Sequence, residues 1–327
     1  MTDTLITRRQ ALAGAASLAI GLGSSALAQT ATAWPDKPVR VVVPYPPGGG
    51  ADTLSRLLFA KIQEDLGQSF IIDNRAGGGA TIGPAIVAKA PADGYTILHD
   101  GTGFSINPGL LPNLAYDART DFIPVFVAGT MPSILGCYPA VEQKTLADVI
   151  ASSKTEGFDW ASSGNGSLQH LTLELFRART GIKATHIPFK GGGLALNDVM
   201  GGHVKFLFVN AAGATAHVKS GKLRAIAHTG EGRLAALPDV PSMAETLPGF
   251  VAYEWNGVYL PAGTPQAIVA KLNAALNKAV QVPSVIERAG QLSIALKGNS
   301  QPEAAAYVNA EIEKWTKIIR DGNIKPE

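Results

Sequence analysis

Short β-branched and apolar runs alternate along the chain with segments whose apolar positions recur every three or four residues. The first run, VRVVVPY (Val39–Tyr45), predicts a buried strand. Asp52 predicts the cap of a helix on which Leu54, Leu57, Leu58, Ile62 and Leu66 share one face, closed by Gly67. SFIIDN (Ser69–Asn74) and YTILHD (Tyr95–Asp100) predict two more strands, with helical PAIVAKA between them. DFIPVFVAGTMPSILGCYP then reads as two short apolar runs broken at Gly129 and Pro132, long enough to cross between domains.

Beyond that crossing the alternation restarts. TLADVIASSK, SLQHLTLELFRARTG and GGLALNDVMGG predict helices; FDWASS, ATHIPF, VKFLFVN and LRAIAHT predict strands. YEWNGVYLPAGTP predicts a strand that crosses back, Thr264 caps the next helix ahead of Pro265, and the box Ser300–Glu303 opens the last one. The expected architecture is α/β with mostly parallel strands, in two lobes joined by two crossings around a cleft. The first lobe takes residues 29–130 and is completed by 253–327; the second takes 131–252.

The first 28 residues stand apart: Arg8 and Arg9, an apolar run from Ala11 to Leu22, and the small-residue pattern Ala26-Leu27-Ala28 predict a signal peptide cleaved before Gln29. Thr7–Leu12 is similar to a twin-arginine signal with Ala11 where Phe is usual, so either export route fits a periplasmic destination. The remaining chain carries about +1 net charge, which gives no footprint for nucleic acid or a membrane surface. Cys137 is the single cysteine, so an internal disulfide is excluded, and no metal-type Cys/His spacing occurs. No cofactor is expected, and the chain is expected to be monomeric.

The candidate chemistry lies in glycine loops. Gly48–Gly50, Gly77–Gly79, Gly191–Gly193 and SSGNGS (Ser162–Ser167) each follow a predicted strand and precede a helix. In a parallel lobe this places them beyond the carboxyl ends of the strands, where open α/β sheets bind ligands. Glycine permits close backbone approach, and the first-turn N–H groups with the helix dipole favour an anion. Nucleotide motifs fail, because no loop continues into Lys-Ser or Lys-Thr and GNGSLQ lacks a third glycine; a carboxylate satisfies the same donors. Ser162, Ser163, Gly164, Asn165 and Ser167 cluster hydroxyl and amide donors, although Ser167 alone also fits an ordinary N-cap. His170, one turn on, reads either as a ligand donor or as a structural histidine. Lys190 beside Gly191 and Gly192 adds a cation or a solvated side chain, and Asn210 points an amide toward the cleft. Tyr45, Gly48 and Gly49 form the first cradle, with Asp52 fixing it. An exported α/β hydrolase of small esters is the competing reading, but the serines lack a Gly-x-Ser-x-Gly setting.

The chain beyond the signal resembles, nearly end to end, the solute-binding proteins of tripartite tricarboxylate transporters (the Bordetella uptake gene, or Bug, family). WPDKPVRVVVPYPPGGGAD, IIDNRAGGGATIG, AKAPADGYTIL, SSGNGSLQHLTLELF, HIPFKGGGLALNDVMGGHV, SGKLRAIAHTG, LPDVPSMAE and LPAGTP carry the resemblance. It implies a type II periplasmic binding protein fold and capture of a small carboxylate by cleft closure near 126–136 and 253–259. It also implies delivery to a two-subunit membrane permease, or a sensing role. In that pattern the loops at Tyr45–Asp52 and Ser162–Ser167 grip carboxylate oxygens, and Lys190–Gly193 lines the second lobe. The chain departs from it at Ala76 and Gly78, and at Val209, where an Asp often precedes the Asn. Loss of that acid implies a cleft less suited to amino ligands, with Val209 and Phe104 offering an apolar wall.

Overall fold

The computed structural model describes residues 34–45, 47, 50–189 and 191–326. The signal-peptide segment, Gly48, Gly49 and Lys190 lie outside the described residues. The strands are β1 (Val39–Val43), β2 (Phe70–Asn74), β3 (Thr96–Gly101), β4 (Phe122–Cys137), β5 (Phe158–Ser162), β6 (Ala184–Pro188), β7 (Phe206–Asn210), β8 (Arg224–His228), β9 (Tyr253–Pro261) and β10 (Ala295–Leu296). The helices are α1 (Gly50–Leu66), α2 (Ile82–Ala88), α3 (Gly103–Leu110), α4 (Leu146–Thr155), α5 (Leu168–Thr180), α6 (Gly192–Met200), α7 (Ala211–Lys219), α8 (Gln266–Ala279), α9 (Pro283–Gln291) and α10 (Gln301–Asp321).

The strands run in the order β2-β1-β3-β9-β4-β7-β5-β6, with β8 and β10 paired to β4. Two parallel patches result, β2-β1-β3 and β7-β5-β6. Between them lies the antiparallel pair β9-β4. The helices that connect parallel strands explain why Val41, Val42, Val43, Trp160 and Leu207 are buried, since such strands are covered on both faces.

The two broken runs expected over 122–137 form one continuous 16-residue strand. Its first part pairs with β9 as far as Pro132↔Tyr253; from Ser133 onward it pairs with β7 and β8. Pro132 therefore stands at the handover between partners, where the missing N–H breaks no ladder. Gly129 sits at a register shift and gives β10 room to pack, since a Cβ there would lie 2.7 Å from Ile294. Thr229 holds the handover: Ser133 N–H donates to its hydroxyl (2.9 Å), its own N–H donates to the Ser133 carbonyl (2.9 Å), and Ala252 N–H donates to its carbonyl (3.1 Å). Both chain passages between the patches are thus tied to one buried residue.

An aromatic cluster of Trp160, Phe176, Phe206 and Phe208 fills the core of the second patch. Phe104, Tyr116, Phe122 and Tyr259 fill part of the first, with Phe104 and Tyr259 ring centroids 4.3 Å apart. Helix α8 starts at Gln266 with Pro265 at its cap, one residue after the expected Thr264; the Thr264 hydroxyl instead donates back to the Pro261 carbonyl.

Candidate functional site

A cavity of about 690 Å³ opens between the two patches, beyond the carboxyl ends of their parallel strands. One wall comes from Pro44 and Tyr45 after β1, Ala76–Ala80 after β2, Thr102–Gly103 after β3, and Ile106, Asn107 and Leu110 of α3. Ser163–Ser167 after β5, with Leu168 and Gln169 of α5, make the facing wall, and Glu254 of β9 also lines the cavity. The volume falls within the range of small-molecule sites.

The Ser163–Ser167 loop is held by its own side chains. Ser167 caps α5, accepting from His170 N–H (3.2 Å). Gly166 N–H donates to His170 Nδ1 (3.0 Å), and Gly164 N–H donates to the Ser162 hydroxyl (3.1 Å). Two of the expected free amides are thus committed within the loop. The N–H groups of Leu168 and Gln169 open α5, and a first helical turn has no acceptor of its own for such groups. The loop meets the other wall at Gly166, whose φ is +72° and where a Cβ would lie 2.2 Å from Leu110. Asn165 Nδ2 also donates to the Lys325 carbonyl (2.9 Å).

Beneath the loop, His170 stacks on His186 with ring centroids 3.8 Å apart and planes 3° from parallel. Burial pushes each imidazole down to about 4, with Arg177 opposing the charge on His170 and His170 opposing that on His186. Ser162 Oγ lies 2.6 Å from His186 Nε2, a spacing reminiscent of a nucleophile and its base. Ser162 is fully buried and does not line the cavity, so no substrate reaches it. His170, too, faces the stack and not the cavity.

The first wall rests on Asp100. The Tyr45 hydroxyl donates to Asp100 Oδ1 (3.0 Å), as does Gly101 N–H (2.6 Å), while Oδ2 is buried without a protein partner. Burial pushes this carboxyl up to about 7, although both donors favour its charged form. Burial, with Asp100 beside it, also raises the Tyr45 phenol well above its ordinary value. Gly77, Gly78 and Gly79 have φ of 124°, 58° and 64°, and Ala80 follows at 69°, a conformation rare for a residue with a side chain. Asn107 Nδ2 fixes this turn by donating to the Gly79 carbonyl (2.9 Å).

Of the residues singled out from sequence, Tyr45, Ser163, Gly164, Asn165 and Ser167 line the cavity. Asp52 lies in the first turn of α1, not at its cap, and is buried against Arg56 (3.0 Å) and the Asn74 amide (2.9 Å). Gly191 caps α6 and its N–H donates to the Ser163 carbonyl (3.1 Å); a Cβ on Gly192 would lie 3.3 Å from Ser163 Oγ. Both glycines therefore back the loop from behind. Asn210 caps α7, its Oδ1 accepting from Gly213 N–H (2.8 Å), and its side chain lies near enough to Glu254 to favour that carboxyl's charged form. Val209 and Phe104 are core residues, so neither forms the expected apolar wall; Ile106, Leu110 and Leu168 do.

Sequence reasoning missed Glu254, α3 and Gln169. Glu254 is the only charged side chain among the described lining residues. It is partly exposed in the cavity, and the protein packed around it raises its carboxyl pKa, with the nearby Asn210 side chain opposing. The expectation of a cleft short of acid therefore does not hold, because the acid comes from β9 and not from β7. The signal was a lone carboxylate within the otherwise uncharged run YEWNGVYL.

The profile described as "Tripartite tricarboxylate transporter family receptor" matches residues 54–324. The chain belongs to this family. It is 34% identical to Protein BugT of Bordetella pertussis over 98% of its own length and 99% of that protein's. It also superposes on an R. palustris protein solved with adipate at 33% identity and a TM-score of 0.80, covering 90% of this chain and 100% of that one. MatC of Rhodopseudomonas palustris, with bound malate, matches at 32% and 0.75, covering 88% and 100% respectively. Receptors of the tripartite tricarboxylate transporter family are periplasmic solute-binding proteins rather than enzymes. They bind small carboxylates and work with the transporter's membrane components. This chain has their mixed α/β fold and is such a solute-binding protein, which sets the hydrolase reading aside. No helix among the described residues is long and apolar enough to cross a membrane.

Proposed function

We propose that this protein captures a small organic acid in the periplasm, closes on it, and presents it to a two-subunit permease or a sensor. The observation that carries this reading is the cavity itself. Neutral donors and the N-terminus of α5 line one wall, and the neutral Tyr45–Asn107 surface lines the other. Such a site suits an anion bound by dipoles and ordered water without a fixed cation among the described residues. The adipate and malate complexes of its relatives support the same chemical class.

The proposed binding set is Tyr45, Gly48, Gly49, Ser163, Gly164, Asn165, Ser167, Lys190 and the first turn of α5. Ser162, His170, Gly191, Gly192, Asn210 and Asp52 hold that set in place. Closure would pivot where β4 changes partner and where β9 begins, dividing the chain into lobes at about 130 and 252. A single ligand-binding unit needs no second copy, so the protein acts as a monomer.

A thermal-shift screen of refolded, ligand-stripped protein from Gln29 onward tests this. A ligand at a hundred times its Kd adds about 2.7 kcal/mol. The midpoint should then rise by roughly 5–10 °C with a carboxylate and not with its amide. Shifts with sugars or nucleotides alone would overturn the reading.

A further inference from the structure

We propose that Glu254 sets ligand choice: the cavity favours a carboxylate that also carries an ammonium group and disfavours a plain dianion. The inference rests on the reading of the cavity as a carboxylate site and adds what the rest of the ligand must be.

Strand alternation fixes where Glu254 points. Its neighbour Trp255 is fully buried, with its indole N–H donating to Glu311 Oε2 (3.2 Å) in the core. Successive side chains of a strand leave opposite faces, so Glu254 leaves the other face and lines the cavity. Asn210 lies near it. The Asn210 oxygen is engaged by Gly213 N–H (2.8 Å), so the side-chain group left to meet Glu254 is the amide NH₂, a pure donor. A donor of this kind favours the ionised carboxylate, against the larger effect of burial, which raises the carboxyl above its ordinary value. Glu254 lines the cavity, so its acceptor capacity is open to a ligand there.

Nothing on the described walls competes for it as a cation. The Tyr45 hydroxyl spends its proton on Asp100, and the Ser163 hydroxyl donates to Gln169 (3.0 Å). The cavity thus has donors at the α5 end and an anionic acceptor on β9. A zwitterion or amino acid anion matches that polarity, whereas a second carboxylate beside Glu254 meets like-charge repulsion in a partly desolvated site.

The test is calorimetric titration of the whole protein at pH 7.5 with two matched pairs, glutamate against glutarate and 6-aminohexanoate against adipate. In at least one pair the amino compound should bind wild type ten-fold or more tightly than its partner. Glu254→Gln, which keeps shape and removes charge, should shrink that preference roughly ten-fold or more by weakening the amino compound and strengthening the diacid. Equal or tighter binding of both diacids to wild type overturns the inference, and that comparison needs no variant. An amino preference that Glu254→Gln leaves unchanged overturns the role of Glu254. Failure of all four compounds to bind, with a shift from a neutral solute, would instead overturn the carboxylate reading beneath it.

Discussion

The two walls of the cavity rest on two buried titratable supports, and burial moves these in opposite directions. Behind the first wall, Asp100 anchors the Tyr45 hydroxyl, and its carboxyl is pushed up to about 7. Behind the second, His170 and His186 lie stacked beneath the Ser163–Ser167 loop, and both are pushed down to about 4. The shared cause is desolvation, which penalises whichever form is charged. Between those values both supports are neutral, so neither puts a fixed charge behind the ligand. A site assembled from dipoles is helped by neutral backing, and it leaves Glu254 as the one carboxyl a ligand meets on the described walls.

The contrast implies two opposing pH slopes. Asp100 has a folded-state value above its unfolded value, so the folded state holds more protons between about 4 and 7 and stability falls as pH rises through that window. The histidines have folded values below their unfolded ones, so their contribution is complete above about 6.5 and is lost as pH falls toward 4. Asp100→Asn should remove the first slope. In urea unfolding at pH 5 and pH 8, the difference between wild-type and variant stability should change by roughly 3 kcal/mol, with the variant gaining toward high pH. The slope is the readout because the new amide also changes the hydrogen bonding of the buried Oδ2 position. A variant whose stability tracks wild type at both pH values would mean Asp100 is ionised in the folded protein.

His170→Gln sharpens the other half. Gln retains an acceptor for Gly166 N–H but cannot be protonated, and it removes the stacked ring. Between pH 7 and 4.5 the variant should lose roughly 2 kcal/mol less stability than wild type, although it starts lower. Nuclear magnetic resonance titration of His186 should at the same time show its pKa rising, because one of its opposing neighbours is gone. An unmoved His186 would show that burial, with Arg177, holds it neutral without help from His170.

The two supports also differ in how much of them the sequence disclosed. The loop over the histidines was legible, since SSGNGS between a strand and a helix signals turn, cap and close approach. The pairing of His170 with His186 was not: the two sit sixteen residues apart in sequence on different elements, and only the packing of α5 against β6 brings them together. Similarly, α3 was hidden because Thr102–Gly103 reads as a loop and Pro108 as a breaker, yet that proline sits within the final turns of a short helix. Glu254 was passed over because an apolar strand of nine residues tolerates one carboxylate at an exposed position, and periodicity does not say what it is exposed to. The crossings were legible as apolar runs, but Pro132 looked like an end and turned out to be a change of partner.

Gly166 is where the two walls touch, so it tests whether they are independent. A side chain there must adopt φ of +72°, costing alanine about 1–2 kcal/mol, and its Cβ would sit 2.2 Å from Leu110 Cδ2. The contacted atom is the end of a flexible side chain, so Leu110 can swing aside, and the clash should add less than the backbone strain. Gly166→Ala should therefore destabilise the protein by roughly 1–2 kcal/mol. The pair Gly166→Ala and Leu110→Ala separates the two causes. A double-mutant cycle with a coupling of about 0.5 kcal/mol or more would locate part of the cost in the wall-to-wall contact. Zero coupling would leave only backbone strain, and the two supports would then govern their walls separately. In that case the pH slopes assigned to Asp100 and to the histidine stack should add without interaction when both are replaced.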